Sequence, residues 1–392
     1  MLIRLLLALT LVVAFGAVPY ASPAQPAPVL HIPVIVSLTG QAAFIGRGEQ
    51  EDFRLIEEIV NRKGGVNHRR VQFDVSDDAS NPQIAVQLMN AIIAQKAPIM
   101  IGPGLTQDCN AVVPLVRAAG PVNYCLSPGL NPPAGGFIFS SSVSLRDCAI
   151  MAIRYFRERG LTRLAILSST DATGQEIDQD YDFAKSLPEN RTVQFVAREH
   201  FNLTDVSVSA QIARIKAANP QAILTWTVGP AFGTELHGIV DGGLDVPVLA
   251  SNGDMIYSQL AQYRGFMPKE LLFPGVLASS HDSLGSGPVK DAQTVYFNAF
   301  KAAGIKPDFP NTLAWDPALI VIDAYRHLGF NATAQQMRRY LNGLHGWVGI
   351  NGVYDFRDGN QHGIGQNALI MSRWDPSKED FIPVSKRGGY LK

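Results

Sequence analysis

Behind its N-terminal stretch the chain repeats one pattern twice: a short run of branched apolar residues, then a longer segment with apolar residues at helical spacing, then another short run. In the first series the spacing predicts strands at residues 31–38, 71–75, 99–101 and 122–126, and helices at 49–61, 83–95 and 106–118. Phe53, Ile56, Ile59 and Val60 share one helix face, and Lys63-Gly64-Gly65 ends that helix. Asn81 reads as the N-cap of the next helix, with Pro82 in its first turn. The second series has helices at 145–159, 175–187, 206–218 and 232–240, and strands at 164–167, 193–197, 222–227 and 246–250. Gly242-Gly243 ends its last helix. Strands separated by helices pair in parallel, and a parallel sheet needs helices on both faces. The expected fold is α/β, with two doubly wound parallel-sheet lobes. A length of 392 residues suits two such units better than one.

Arg4 and the apolar run at residues 5–18 have the make-up of a signal peptide, too short to span a bilayer. Ser22-Pro23-Ala24 supplies small residues for cleavage, with Ala21 as a second candidate, so residues 1–24 are expected to be the leader. No cysteine lies near that site, and no later apolar run is long enough to cross a membrane. A periplasmic protein without a lipid anchor is expected. A formal charge of -1 gives no electrostatic footprint for nucleic acid or an anionic membrane. Cys109, Cys125 and Cys148 have spacings that match no zinc pattern and read as small buried thiols. An oxidising compartment also permits a Cys109–Cys125 disulfide, for which sequence alone does not give the Cα separation.

No catalytic constellation is present. There is no GxSxG, HExxH or GxxxxGK[ST] motif. Gly102-Pro103-Gly104-Leu105-Thr106-Gln107 stands where a dinucleotide fingerprint would, but it lacks the third glycine, and Pro103 has no N–H for a phosphate. The histidines are scattered, and Asp77-Asp78 reads as a solvated turn. No enzyme activity, cofactor or metal is expected.

Several segments instead form an ordered set. They are Leu38-Thr39-Gly40 with Ile45-Gly46, Asn61-Arg62-Lys63-Gly64-Gly65-Val66, Asp77-Asp78-Ala79-Ser80-Asn81-Pro82, and Ile101-Gly102-Pro103 leading to Thr106. Ser127-Pro128-Gly129-Leu130-Asn131, Trp315-Asp316-Pro317-Ala318 and residues 346–360, with Tyr354-Asp355, complete it. In order and spacing they resemble the branched-chain-amino-acid group of periplasmic solute-binding proteins of ABC transporters, which have the type I periplasmic binding fold. The resemblance implies three crossovers, near Ser142, residues 273–276 and residues 366–369. The lobes would then comprise residues 29–142 with 276–367, and 143–275 with 368–392. It implies a small-molecule ligand between the lobes and an inner-membrane ABC permease as partner.

The expected ligand contacts are Phe44, Ile45, Leu105, Thr106, Ser127, Gly129, Leu130 and Asn131 in the first lobe. Thr173, Val228 and Asn252 are expected from the second. Thr106 opens a helix, where unpaired N–H groups and the dipole favour an anion; its alternative role is as the helix N-cap. Where the amino-acid binders of this group hold the α-ammonium with an acid, this chain has Asn252, with Asp254 close by. Thr173 and Val228 stand where the family has tyrosines, and Ile45, beside Phe44, where it has a third. These departures point to a carboxylate with an uncharged body, aromatic acids included, rather than a free amino acid. A ligand-sensing receptor subunit is the alternative, and an exported enzyme ranks last.

Overall fold

The computed structural model describes residues 28–279 and 284–392; the expected leader lies outside them. The first lobe begins with β1 (Leu30–Val36), α1 (Ala43–Arg62), β2 (Val71–Asp77), α2 (Pro82–Ala94) and β3 (Ile99–Ile101). It continues with α3 (Thr106–Val116), β4 (Val122–Cys125) and β5 (Ile138–Ser140). These strands pair in parallel in the order β2-β1-β3-β4-β5. Alternate residues of β1 feed two cores. Ile32, Val34 and Val36 join the main core, while Ile35 packs with Met89, Met100 and Val112 on the other face. Both faces are therefore buried, as a parallel sheet requires.

The second lobe follows with α4 (Leu145–Glu158), β6 (Arg163–Ser169), α5 (Ala172–Ser186), β7 (Gln194–Phe201) and α6 (Ser209–Ala217). Then come β8 (Ala222–Trp226), α7 (Pro230–Asp241), β9 (Val248–Leu249), α8 (Tyr257–Gln262) and β10 (Leu271–Val276). The chain next forms α9 (Pro288–Ala302), α10 (Trp315–Leu328), α11 (Ala334–Gly343) and a hairpin of β11 (His345–Val348) and β12 (Val353–Asp355). Here α10 packs on α1 and β3, and α11 on β4, so this segment covers the first sheet. β13 (Leu369–Asp375) and β14 (Asp380–Arg387) then join the second sheet, whose order is β14-β13-β10-β9-β8-β6-β7.

Four details differ from the sequence reading. The second sheet is mixed, because β13 pairs antiparallel with both β10 and β14. α1 begins at Ala43 rather than at residue 49, so Phe44 and Ile45 lie in its first turn. Gly46 and Gly48 interrupt the apolar pattern there for a packing reason: a Cβ on Gly46 would stand 2.1 Å from the Ser37 carbonyl oxygen. Asp77-Asp78 is not a solvated turn. Asp78 is fully buried and accepts from the Ser37 hydroxyl at 2.6 Å and the Ser80 N–H at 3.0 Å, while Asp77 accepts from the Leu38 and Ala79 N–H groups. Finally, Cys109 and Cys125 are joined in a disulfide, not free thiols. α3 lies against β4 with a Cα–Cα separation of 6.1 Å, within the usual disulfide range, while Cys148 is free and buried.

Candidate functional site

The carboxyl ends of the parallel strands β3 and β4 of the first sheet and of β6, β8 and β9 of the second meet across a cleft. Thr106 is the first residue of α3. Its N-cap is the extended Leu105, which offers no side-chain cap, so Thr106 is not itself the cap and its hydroxyl is free for other work. The first bond of the helix runs from Cys109 N to Leu105 O at 2.9 Å. The N–H groups of Thr106, Gln107 and Asp108 therefore have no intrahelical acceptor. The Thr106 hydroxyl lies 2.7 Å from the Ser127 hydroxyl, just beyond β4, and accepts from the Thr173 hydroxyl at 3.2 Å. Thr173 sits in the first turn of α5, whose N-cap, Asp171, accepts from the Thr173 and Gly174 N–H groups. Three hydroxyls from three elements thus converge across the two lobes.

They edge a cavity of about 40 Å³. Ile45, Leu105, Thr106, Ser127, Gly129, Thr173, Val228 and Asn252 all line it, so the structure brings together eight of the expected positions. Three lie elsewhere. The Leu130 side chain belongs to the core around Ile35, and its carbonyl oxygen is 2.9 Å from His362 Nε2. Asn131 donates to Glu176 of α5, a bond between the lobes outside the cavity. Phe44 packs at the interlobe contact, where a Cβ on Gly229 would stand 3.0 Å from its ring. Asp254, the acid near Asn252, does not line the cavity either; it is buried and accepts from the Gly229 N–H at 3.0 Å.

Among the described residues, none that lines the cavity has a charged side chain. Asn252 is 2% exposed, and its Nδ2 lies 3.9 Å from the Cys148 thiol, too long for a strong hydrogen bond. Trp226 and Leu145 also contribute to the wall, as do Phe309, Pro310 and Leu313 from the segment before α10. Trp226 ends β8 and was within reach of sequence reasoning, because Val228 follows it by two residues at the same strand end. The residue 309–313 segment gives no such signal, since no strand precedes it. A neighbouring space of about 120 Å³ shares Leu105, Thr106, Thr173 and Val228 with the cavity.

Acids stand behind the α3 terminus. Burial first, and Asp78 second, push the Glu49 carboxyl up to about 8 and that of Asp108 up to about 7. Glu49 is fully buried, and a Cβ on Gly104 would stand 2.6 Å from its Oε2. A protonated Glu49 leaves the positive end of the helix dipole uncancelled.

Residues 29–379 match the profile of the periplasmic binding protein family. The chain belongs to that family. Among curated relatives, the leucine-, isoleucine-, valine-, threonine- and alanine-binding protein of Pseudomonas aeruginosa is 21% identical over 246 residues. That match spans 61% of this chain and 65% of the Pseudomonas protein, just under two thirds of its length. In fold, the chain is similar to a Rhodopseudomonas palustris ABC-transporter solute-binding protein solved with benzoate, with a TM-score of 0.76 and 15% identity, covering 93% of this chain and 98% of that one. It is similar also to the Streptococcus pneumoniae branched-chain amino acid transporter substrate-binding protein solved with isoleucine, with a TM-score of 0.74 and 16% identity, covering 90% and 98%. No helix among the described residues is long and apolar enough to cross a membrane.

Proposed function

We propose that this chain is the extracytoplasmic solute-binding component of an ABC importer, and that it captures a small carboxylate with an uncharged body between its lobes. The observation that carries this reading is the α3 terminus. Its first residue, Thr106, and Ser127, whose hydroxyls meet at 2.7 Å, line a cavity with no charged side chain among its described lining residues, and the first-turn N–H groups of α3 have no intrahelical acceptor. Such donors hold a carboxylate without arginine or lysine. Across the cavity, Asn252 and the apolar Val228 and Trp226 offer no counter-charge for an ammonium group, and burying one there would be costly. Family membership supports a transport role, and a benzoate complex of similar fold supports an aromatic acid. In this reading residues 29–142 with 276–367 form one lobe, and 143–275 with 368–392 the other. Residues 1–24 are a cleaved leader, the mature protein is periplasmic, and the inner-membrane permease is its partner.

The test is calorimetry with benzoate, phenylacetate, leucine and isoleucine. The aromatic acids should bind and the amino acids should not. Thr106→Val should weaken that binding by about 1–3 kcal/mol, the cost of losing a hydrogen bond to a charged group, while leaving the fold intact. Tight leucine binding with the aromatic acids inert would overturn the ligand class.

A further inference from the structure

We propose that the Cys109–Cys125 disulfide is a positioning element of the cleft, holding the Thr106 and Ser127 hydroxyls at the spacing that receives the ligand's carboxylate. The proposal rests on the reading of the cleft given above. Cys109 lies three residues beyond Thr106, one turn into α3, and Cys125 lies two residues before Ser127, at the end of β4. Both cysteines are fully buried. The Ser127 N–H points back at Cys125 Sγ at 3.4 Å, and the Ser127 hydroxyl accepts from the Gly129 N–H at 3.3 Å and faces Thr106 at 2.7 Å. Ser127 is therefore held from behind by the disulfide and in front by the hydroxyl it meets.

Other links join the same region: the Ser140 hydroxyl donates to the Ser127 carbonyl oxygen at 2.6 Å, which holds the Ser127 backbone but not α3, and the rest act on the loop before the helix. Leu126 N donates to Pro103 O at 2.9 Å, and Gly102 N to Tyr124 O at 2.8 Å. These bonds fix the loop that leads into α3, not the body of the helix. Pro114 lies inside α3 and removes one of its backbone donors. The disulfide is the covalent tie between the helix and the strand. A binding constellation loses affinity when its members shift by about 0.5 Å, so such a tie acts on recognition as well as on stability. A disulfide that served only to restrict the unfolded chain would raise stability and leave affinity alone.

The experiment compares wild type, Thr106→Val, Cys109→Ala/Cys125→Ala and the combined triple variant, using calorimetry with benzoate and isoleucine and thermal melts of each protein. Loss of the disulfide should weaken binding of the probe that wild type accepts by about ten-fold. In the Thr106→Val background the same cysteine changes should add little, because the spacing between the two hydroxyls no longer matters once one of them is gone. A lower melting temperature with unchanged affinity overturns the proposal, and so do losses that simply multiply. If the double variant does not fold, native wild type reduced with a phosphine, with the freed thiols counted, provides the same affinity comparison. Wild-type binding that responds to Thr106→Val but not to disulfide loss sinks this proposal alone. Failure of wild type to bind either probe sinks the reading of the cleft, and this proposal with it.

Discussion

Glu49 and Asp108 stand behind the α3 terminus, and their ionisation is expected to make the cleft sensitive to pH. Each has a folded-state value raised above its ordinary one, to about 8 and about 7, with burial as the main cause. The native state therefore binds more protons than the unfolded chain between the ordinary value, 4.5 for Glu49, and about 8. This contribution to stability is fully present below that window and is lost as pH rises through it. The same ionisation places negative charge behind the helix terminus that would receive a carboxylate. Benzoate affinity should therefore fall between about pH 6 and pH 8.5, and Glu49→Gln should flatten that fall and raise the melting temperature most at the alkaline end. Equal pH profiles in calorimetry for variant and wild type would exclude the role of Glu49. Thr106 was legible in the sequence because a helix start has a local signature. The state of Glu49 was not, because it depends on Gly104 admitting a carboxyl group from a distant helix.

Among the elements, those whose order is set by local signals were read closely. Asn81 does cap α2, accepting from the Gln83 N–H at 2.9 Å and the Ile84 N–H at 3.4 Å. Asn81→Ala removes both bonds and should cost about 1 kcal/mol in denaturant unfolding, without changing ligand affinity. Gly46 and Gly48 lower helix propensity, so local signals start α1 too late, whereas close approach to Ser37, just beyond β1, demands glycine at the first of them. The antiparallel strands β13 and β14 went unread for a different reason. β13 is buried along most of its length and shows no alternation, and Pro383 inside β14 argues against a strand. Pro383 is tolerated because β14 is the edge of the sheet, which is a property of topology rather than of local sequence. Likewise the 309–313 segment reaches the cleft by packing on α1, where Asn311 Nδ2 donates to the Gly48 carbonyl oxygen at 3.0 Å, a long-range contact with no local mark.

At the scale of the whole molecule, the two lobes stand close together. Thr173 reaches Thr106, Asn131 reaches Glu176, and Phe44 lies against Gly229, each pair bridging the cleft. The cavity between them, about 40 Å³, is well below the size of about 150 Å³ that admits benzene. An aromatic acid would fit only if this cavity opened into the neighbouring space of about 120 Å³, which Thr106 and Thr173 also line, or if the lobes parted, so its binding is expected to change how the lobes stand. A ligand shifts that balance only by its differential affinity for the two states. Contacts that bridge the lobes but do not touch the ligand bear on the closed state alone. The Asn131–Glu176 bond is such a contact, with Asn131 exposed and outside the cavity. Glu176→Ala should leave association of benzoate nearly unchanged and speed its release by a few-fold, the effect of losing about 0.5–1.5 kcal/mol from the closed state. Stopped-flow fluorescence separates the two rates, and small-angle scattering should show a more compact particle with saturating benzoate than without it. Faster association with unchanged release in Glu176→Ala, or identical scattering in both conditions, would contradict closure of the lobes as the step that retains the ligand.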